Sequence, residues 1–288
     1  MSEPDTVGGR SVMPLRMADG ARADLLLFSP PGTPRAALLW VPALGVAARH
    51  YEPLAQALAD LGVAVGIHEW RGHGSSDQRA DRRSNWGYRT LLTDDLPTSL
   101  SALAKAFPGV RLCVGGHSLG GQLSTLLASV TDLDLHGIIL VASGAPYWRR
   151  FHPWVGLAYV AAPALARLVG RLPGRQIGFG GNEARGVISD WARSGRTGRY
   201  AARGMAADLE AALQGQRAPL LALRLRDDWL GPETSLAFLL DKMPRAPRRT
   251  EVIGPDELAG AKADHFAWMK VPAPIASRIH DWLSATAT

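Results

Sequence analysis

The chain has 288 residues, 47% of them apolar and 20% charged, with a net charge of +6. That composition supports one substantial core and excludes a disordered chain, and no run approaches the ~20 apolar residues of a membrane span. A single cysteine, Cys113, excludes an internal disulfide. Met1 to Gly20 lacks the basic start and apolar stretch of a secretory signal, so the expectation is a soluble cytoplasmic protein.

Six short apolar runs read as strands in chain order: Ala23–Phe28, Ala36–Val41, Val63–Ile67, Val110–Val114, Gly137–Val141 and Leu220–Leu225. Each is nearly continuous in its apolar character, as expected for strands buried on both faces of a parallel sheet. Helical spacing appears between them. Tyr51–Leu61 carries Leu54, Leu58 and Leu61 on one face, and Tyr88–Phe107 carries Leu92, Leu96, Leu100, Leu103 and Phe107, with a bend expected at Pro97. Ser118–Val130, Glu233–Met243 and Ile275–Leu283 complete the set. Strand and helix in alternation predict an α/β fold, a mostly parallel sheet with helices on both faces.

The rhythm fails over 145–214, where no strand is evident and an apolar helix is expected over Val155–Val169. This stretch is expected to be a mainly helical lid inserted into a core made of 1–144 and 215–288. Trp148 and Trp154 within it, and Trp229 beyond it, are candidate walls of an apolar binding site. Residues 145–205 hold ten arginines, Arg149 and Arg150 among them, against Glu183 and Asp190 as the only acids. Such a bias describes a solvated basic surface, and no nucleic-acid partner is expected.

The chemistry is carried by Gly115-Gly116-His117-Ser118-Leu119-Gly120-Gly121-Gln122. A strand enters this Gly-x-Ser-x-Gly motif and an apolar helix leaves it, which puts the serine hydroxyl on a strained turn above the sheet. A serine needs a base. His265 is the late histidine predicted in a loop, whereas His280 falls within the last helix. The sixth strand ends in Asp227-Asp228, and either residue is a candidate acid. His117, His68 and His73 read as structural. No cluster has zinc-ligand spacing, so neither metal nor cofactor is expected.

Several segments together resemble the α/β-hydrolase superfamily, nearest to bacterial members with a serine aminopeptidase-like or monoglyceride lipase-like fold. They are Ala43-Leu44-Gly45-Val46 with Tyr51, Trp70-Arg71-Gly72-His73-Gly74-Ser75-Ser76, the Ser118 elbow, Asp227-Asp228 and His265. The chain departs from the pattern where relatives place His-Gly and it has Pro42-Ala43. It departs again where they place Asp before Arg-Gly-His-Gly and it has His68-Glu69-Trp70. The resemblance implies a Ser118–Asp228–His265 triad, with Asp228 preferred over Asp227 because a proline follows four residues later. It implies oxyanion donors at the amides of Leu119 and Leu44. The implied activity is hydrolysis of a small-molecule ester or thioester through an acyl-enzyme, with acyl transfer by the same triad, or a non-catalytic binding scaffold, as alternatives. Arginines facing the pocket would favour an anionic substrate.

Overall fold

The computed structural model describes residues 9–286; the first eight residues of the N-terminal segment read for a signal lie outside that range. The chain runs β1 (Gly9–Arg16), β2 (Arg22–Ser29), β3 (Ala36–Val41), α1 (Glu52–Asp60), β4 (Val63–His68), α2 (Tyr88–Thr90), α3 (Leu96–Ala106), β5 (Arg111–His117), α4 (Leu119–Val130) and β6 (Gly137–Val141). Then come α5 (Val155–Val169), β7 (Arg171–Pro173), α6 (Gly174–Ile177), β8 (Asn182–Ala184), α7 (Arg185–Thr197) and α8 (Leu209–Gly215). The chain closes with β9 (Leu220–Leu225), α9 (Glu233–Leu240), β10 (Arg248–Ile253) and α10 (Ala273–Ala285).

Eight strands form one sheet in the order β1-β2-β4-β3-β5-β6-β9-β10. β1 and β2 pair antiparallel and β2 meets β4 antiparallel; from β4 to β10 every pairing is parallel. Alternate residues of β3 enter different layers. Leu38 and Trp40 pack with Leu54 and Leu58 of α1 and with Ile275, Ile279 and Trp282 of α10. Leu39 and Val41 pack on the other face with Leu96, Leu100 and Leu103 of α3 and Leu123 and Leu127 of α4. The period of two in the strands thus sends each β3 side chain to one of two helical layers. This is the mostly parallel α/β sheet with helices on both faces that the strand–helix alternation predicts.

β1 and β10 are additions to the six expected strands. Both lie at sheet edges and are largely exposed, so their sequences, GRSVMPLR and RRTEVI, lack a continuous apolar run. An edge also tolerates Pro14 within β1, since one row of its backbone groups has no partner strand. Between 88 and 106 the helix is interrupted by a π-helical turn at Leu91–Asp95, just before Pro97. Proline lacks an N–H and its ring clashes one turn back, and a wider turn there relieves both.

Between β6 and β9 the chain leaves the sheet. The helix expected over Val155–Val169 is α5, with those bounds. The same stretch also holds β7 and β8, an antiparallel pair of three residues each. Elements so short leave no periodicity to read. α5 and α7 share a small core of Val155, Tyr159 and Ala192, onto which Trp148, Phe151 and Trp191 pack.

Candidate active site

β5 delivers His117 and Ser118 to the top of the sheet, and α4 begins at the next residue. Ser118 has φ 55° and ψ −120°, a conformation that side-chain-bearing residues rarely adopt. Three bonds hold it there. Its amide donates to Val141 O at 3.1 Å, and its carbonyl accepts from Ser143 Oγ at 2.7 Å and Gln122 N at 3.2 Å. The glycines of the motif are required by crowding. A Cβ at Gly116 or Gly120 would strike the Val41 carbonyl, and one at Gly120 would also strike that of Pro42. The end of β3 therefore lies directly against the start of α4.

The turn after β9 places Asp228 inward and Asp227 outward; the Asp228 carboxylate is buried. Its Oδ1 accepts from the amides of Leu230 at 2.9 Å and Gly231 at 3.0 Å. Its Oδ2 lies 2.7 Å from His265 Nδ1. A Cβ on Gly231 would come within 2.7 Å of Oδ2, so a side chain there would crowd the carboxylate. His265 sits in a loop fastened on both sides. Asp264 Oδ1 accepts from the amides of Phe266 and Ala267, and the buried Trp268 donates its Nε1–H to the His265 carbonyl at 3.0 Å. With Nδ1–H committed to Asp228, Nε2 of the neutral ring is the free acceptor. The His265 ring packs on His117, the residue before Ser118, at a centroid distance of 4.7 Å. No hydrogen bond joins the Ser118 hydroxyl to His265 among the described residues; such bonds commonly tighten only around a bound substrate.

Leu119 occupies the first position of α4, where its amide has no intrahelical acceptor and the helix dipole favours negative charge. Leu44 lies in the loop after β3. That loop is pinned by Trp70, whose Nε1–H reaches the carbonyls of Pro42 and Ala43 at 3.2 and 3.1 Å, and by the Tyr51 hydroxyl, which accepts from the Ala43 amide at 2.9 Å. Leu44 and Leu119 both line a cavity of about 10 Å³, walled mainly by Trp70, Trp86, Leu91 and Val187. The segment before β8 closes over it. Gly180 and Gly181 press on Gly45, and Glu183 reaches His73 Nε2 at 3.2 Å. Arg71 and Glu183 are the polar members of the cavity wall. Arg71 is tied to Asp95 at 2.5 Å and to Asp19 at 2.6 Å.

None of the ten arginines between 145 and 205 lines this cavity. Arg149 and Arg150 are exposed, each over an aromatic ring. Arg196 donates to the Tyr159 carbonyl, and Arg185 to the carbonyls of Asp81 and Arg82. Trp148 packs in the α5–α7 core, while Trp154 and Trp229 face solvent and lie against each other at 5.6 Å. His68 is buried against Ser99, and burial, reinforced by Arg71, pushes it down to about 3. Cys113 is buried and pushed up to about 12, which leaves it inert as a nucleophile. No group of His, Cys, Asp or Glu among the described residues is arranged to hold a metal ion. No helix among them is long and apolar enough to cross a membrane. A larger open groove of about 650 Å³ between β1 and α3 contains none of the site residues.

Residues 32–253 match the family model described as serine aminopeptidase, S33. The chain belongs to this hydrolase family. It is 30% identical to the monoglyceride lipase of Rattus norvegicus over 145 residues, 48% of this chain and 45% of that protein. The corresponding identity to the Homo sapiens monoglyceride lipase is 27% over 145 residues, with the same shares of each chain. The chain thus matches about half the length of these curated relatives. In fold it is similar to a lipase solved in an open form, with a TM-score of 0.68 at 16% identity over 97% of this chain and 100% of that one. It is also similar to a thermophilic esterase from Thermogutta terrifontis, with a TM-score of 0.66 at 15% identity over 96% and 100% of the two chains.

Sequence reasoning did not single out three residues that pack around this candidate site of the S33-family chain. Ser143 braces the Ser118 carbonyl, Glu183 lies beside the Leu44–Leu119 cavity, and Tyr51 supports the loop that carries Leu44. Tyr51 belonged to the matching motif, but nothing in its spacing foretold which groups its hydroxyl would meet.

Proposed function

We propose that the protein is a serine esterase in which Ser118, His265 and Asp228 act as a catalytic triad. The observation that carries this reading is the buried 2.7 Å contact between His265 Nδ1 and Asp228 Oδ2, set beside a serine held at φ 55°. Ser118 Oγ attacks the acyl carbonyl carbon as its proton passes to His265 Nε2. The amides of Leu119 and Leu44 hold the resulting oxyanion. The C–O bond to the leaving group breaks as His265 returns the proton to the departing oxygen. Water, deprotonated by the same nitrogen, then releases the acid and restores Ser118. Asp228 holds the imidazole in one tautomer and balances the imidazolium charge.

Residues 145–214 serve as the lid in this reading. The acyl group enters between Leu44, Leu119 and Val187 when the segment carrying Gly180–Glu183 moves away from Gly45 and His73. The apolar walls favour neutral carboxylic esters, with Trp154 and Trp229 on the outer rim. The monoglyceride lipase relatives fit an uncharged ester substrate. A panel of p-nitrophenyl esters of increasing acyl length tests the proposal. Turnover is expected in the wild type and a loss of at least ~10⁴-fold in Ser118→Ala. Equal turnover in the two proteins would refute it.

A further inference from the structure

Tyr51 ends the 3-10 turn Ala48–Tyr51, and both it and His117 are buried. The Tyr51 hydroxyl accepts from the Ala43 amide at 2.9 Å and lies 2.8 Å from His117 Nδ1. A phenol has one proton to give, and His117 Nδ1 is the acceptor within reach. The His117 proton is thereby assigned to Nε2. That nitrogen is buried and makes no well-formed hydrogen bond, while the His117 ring meets the His265 backbone and packs against the rings of His265 at 4.7 Å and Trp268 at 5.2 Å.

We infer that Tyr51 and His117 are positioning residues for acylation, a two-side-chain bridge that holds the Ala43–Leu44 loop and the His265 ring in register with Ser118. The inference rests on the triad reading above. Ala43 is the residue before Leu44, and His117 is the residue before Ser118. The bridge therefore touches the neighbour of the oxyanion donor, the neighbour of the nucleophile and the face of the base. Its charge state suits the task. Burial, together with the neighbouring His265, drives the protonation of His117 far down, and burial raises Tyr51 well above the usual phenol range. Both stay neutral, so His117 adds no repulsion when His265 becomes an imidazolium. An oxyanion donor acts through a short bond to a developing charge, so a small shift of the Leu44 loop weakens the transition state more than the ground state.

Packing alone predicts something different. The Tyr51 ring also meets Trp40 at 5.9 Å and Trp268 at 6.4 Å, and Tyr51→Phe keeps those contacts while removing the hydroxyl. The experiment compares Tyr51→Phe, His117→Asn and His117→Leu with wild type and Ser118→Ala. It reads kcat and KM on a p-nitrophenyl ester, the melting temperature, and Ki for an alkylboronic acid, whose serine adduct is tetrahedral and anionic. In Tyr51→Phe, kcat is expected to fall ~10–100-fold with KM within about twofold, and the boronate Ki to rise by a similar factor. His117→Asn, whose Oδ1 stands close to the place of Nδ1, is expected to keep most of the rate that His117→Leu loses. A Tyr51→Phe protein with wild-type kcat and boronate affinity overturns the inference, as do equal rates in the Asn and Leu variants. If His117→Leu does not fold, Tyr51→Phe and its boronate Ki decide the matter. Wild-type protein without Ser118-dependent turnover overturns the triad reading and this inference with it; Ser118-dependent turnover with an unaffected Tyr51→Phe overturns this inference alone.

Discussion

Asp228 divides its two oxygens between its own turn and His265: Oδ1 takes two backbone amides, and Oδ2 faces the imidazole at 2.7 Å. Its own turn, as well as the histidine, therefore fixes the aim of the carboxylate. Replacing it by asparagine keeps the shape but lets an amide N–H face Nδ1, which favours the wrong tautomer. Asp228→Asn is expected to lower kcat by ~10³–10⁴-fold, while Asp227→Asn, at an exposed side chain, stays within about twofold of wild type. Steady-state kinetics on one p-nitrophenyl ester separates the two, and equal losses would remove the assignment of the acid.

Gly120 lies where α4 meets the end of β3, and a Cβ there would overlap the carbonyl oxygens of Val41 and Pro42. Neither neighbour is a flexible side chain that could swing aside. Gly120→Ala is expected to destabilise the protein by ~1–3 kcal/mol and to displace the Leu119 amide, with loss of turnover. Urea denaturation and kcat measure the two effects; an active variant of unchanged midpoint would contradict the packing described for the elbow.

His68 is neutral in the folded protein, with its protonation pushed down to about 3. In the unfolded chain it titrates near ~6.5. Between those values the unfolded chain binds a proton that the folded one refuses. Stability is therefore complete above about 6.5 and declines as the pH falls, by up to ~1.4 kcal/mol per pH unit. Urea midpoints at pH 7 and pH 5 are expected to differ less in His68→Asn than in wild type. An identical pH dependence would show that this histidine does not set the acid sensitivity.

Arg149 and Arg150 are exposed and absent from the cavity wall beside Leu44 and Leu119. The double variant Arg149→Gln/Arg150→Gln is expected to leave kcat/KM within about twofold for neutral and acidic esters alike. A selective rise in KM for acidic esters would instead bring these arginines into contact with substrate.

The central sheet was legible because strands buried on both faces are nearly continuous in apolar residues, and β3, β4, β5, β6 and β9 are so apart from Arg224 and the strand-end residues His68, Arg111 and His117. β10 escaped notice because it buries Ile253 alone, and β1 because its exposed edge residues carry no apolar run. The elbow could be read because its glycines answer a local requirement, a serine at positive φ with backbone pressed against it on either side.

The sequence by itself determined the parallel sheet, the place of Ser118 between strand and helix, and a histidine in the last loop. These follow from local periodicity and turn chemistry. Only the tertiary structure turned Asp228 rather than Asp227 toward His265, brought Tyr51 to His117 and laid Gly181 on Gly45. Which of two adjacent aspartates points inward depends on how the turn after β9 meets a loop 37 residues away. Contacts of that kind depend on how the whole sheet stacks its layers, and no window of sequence contains them.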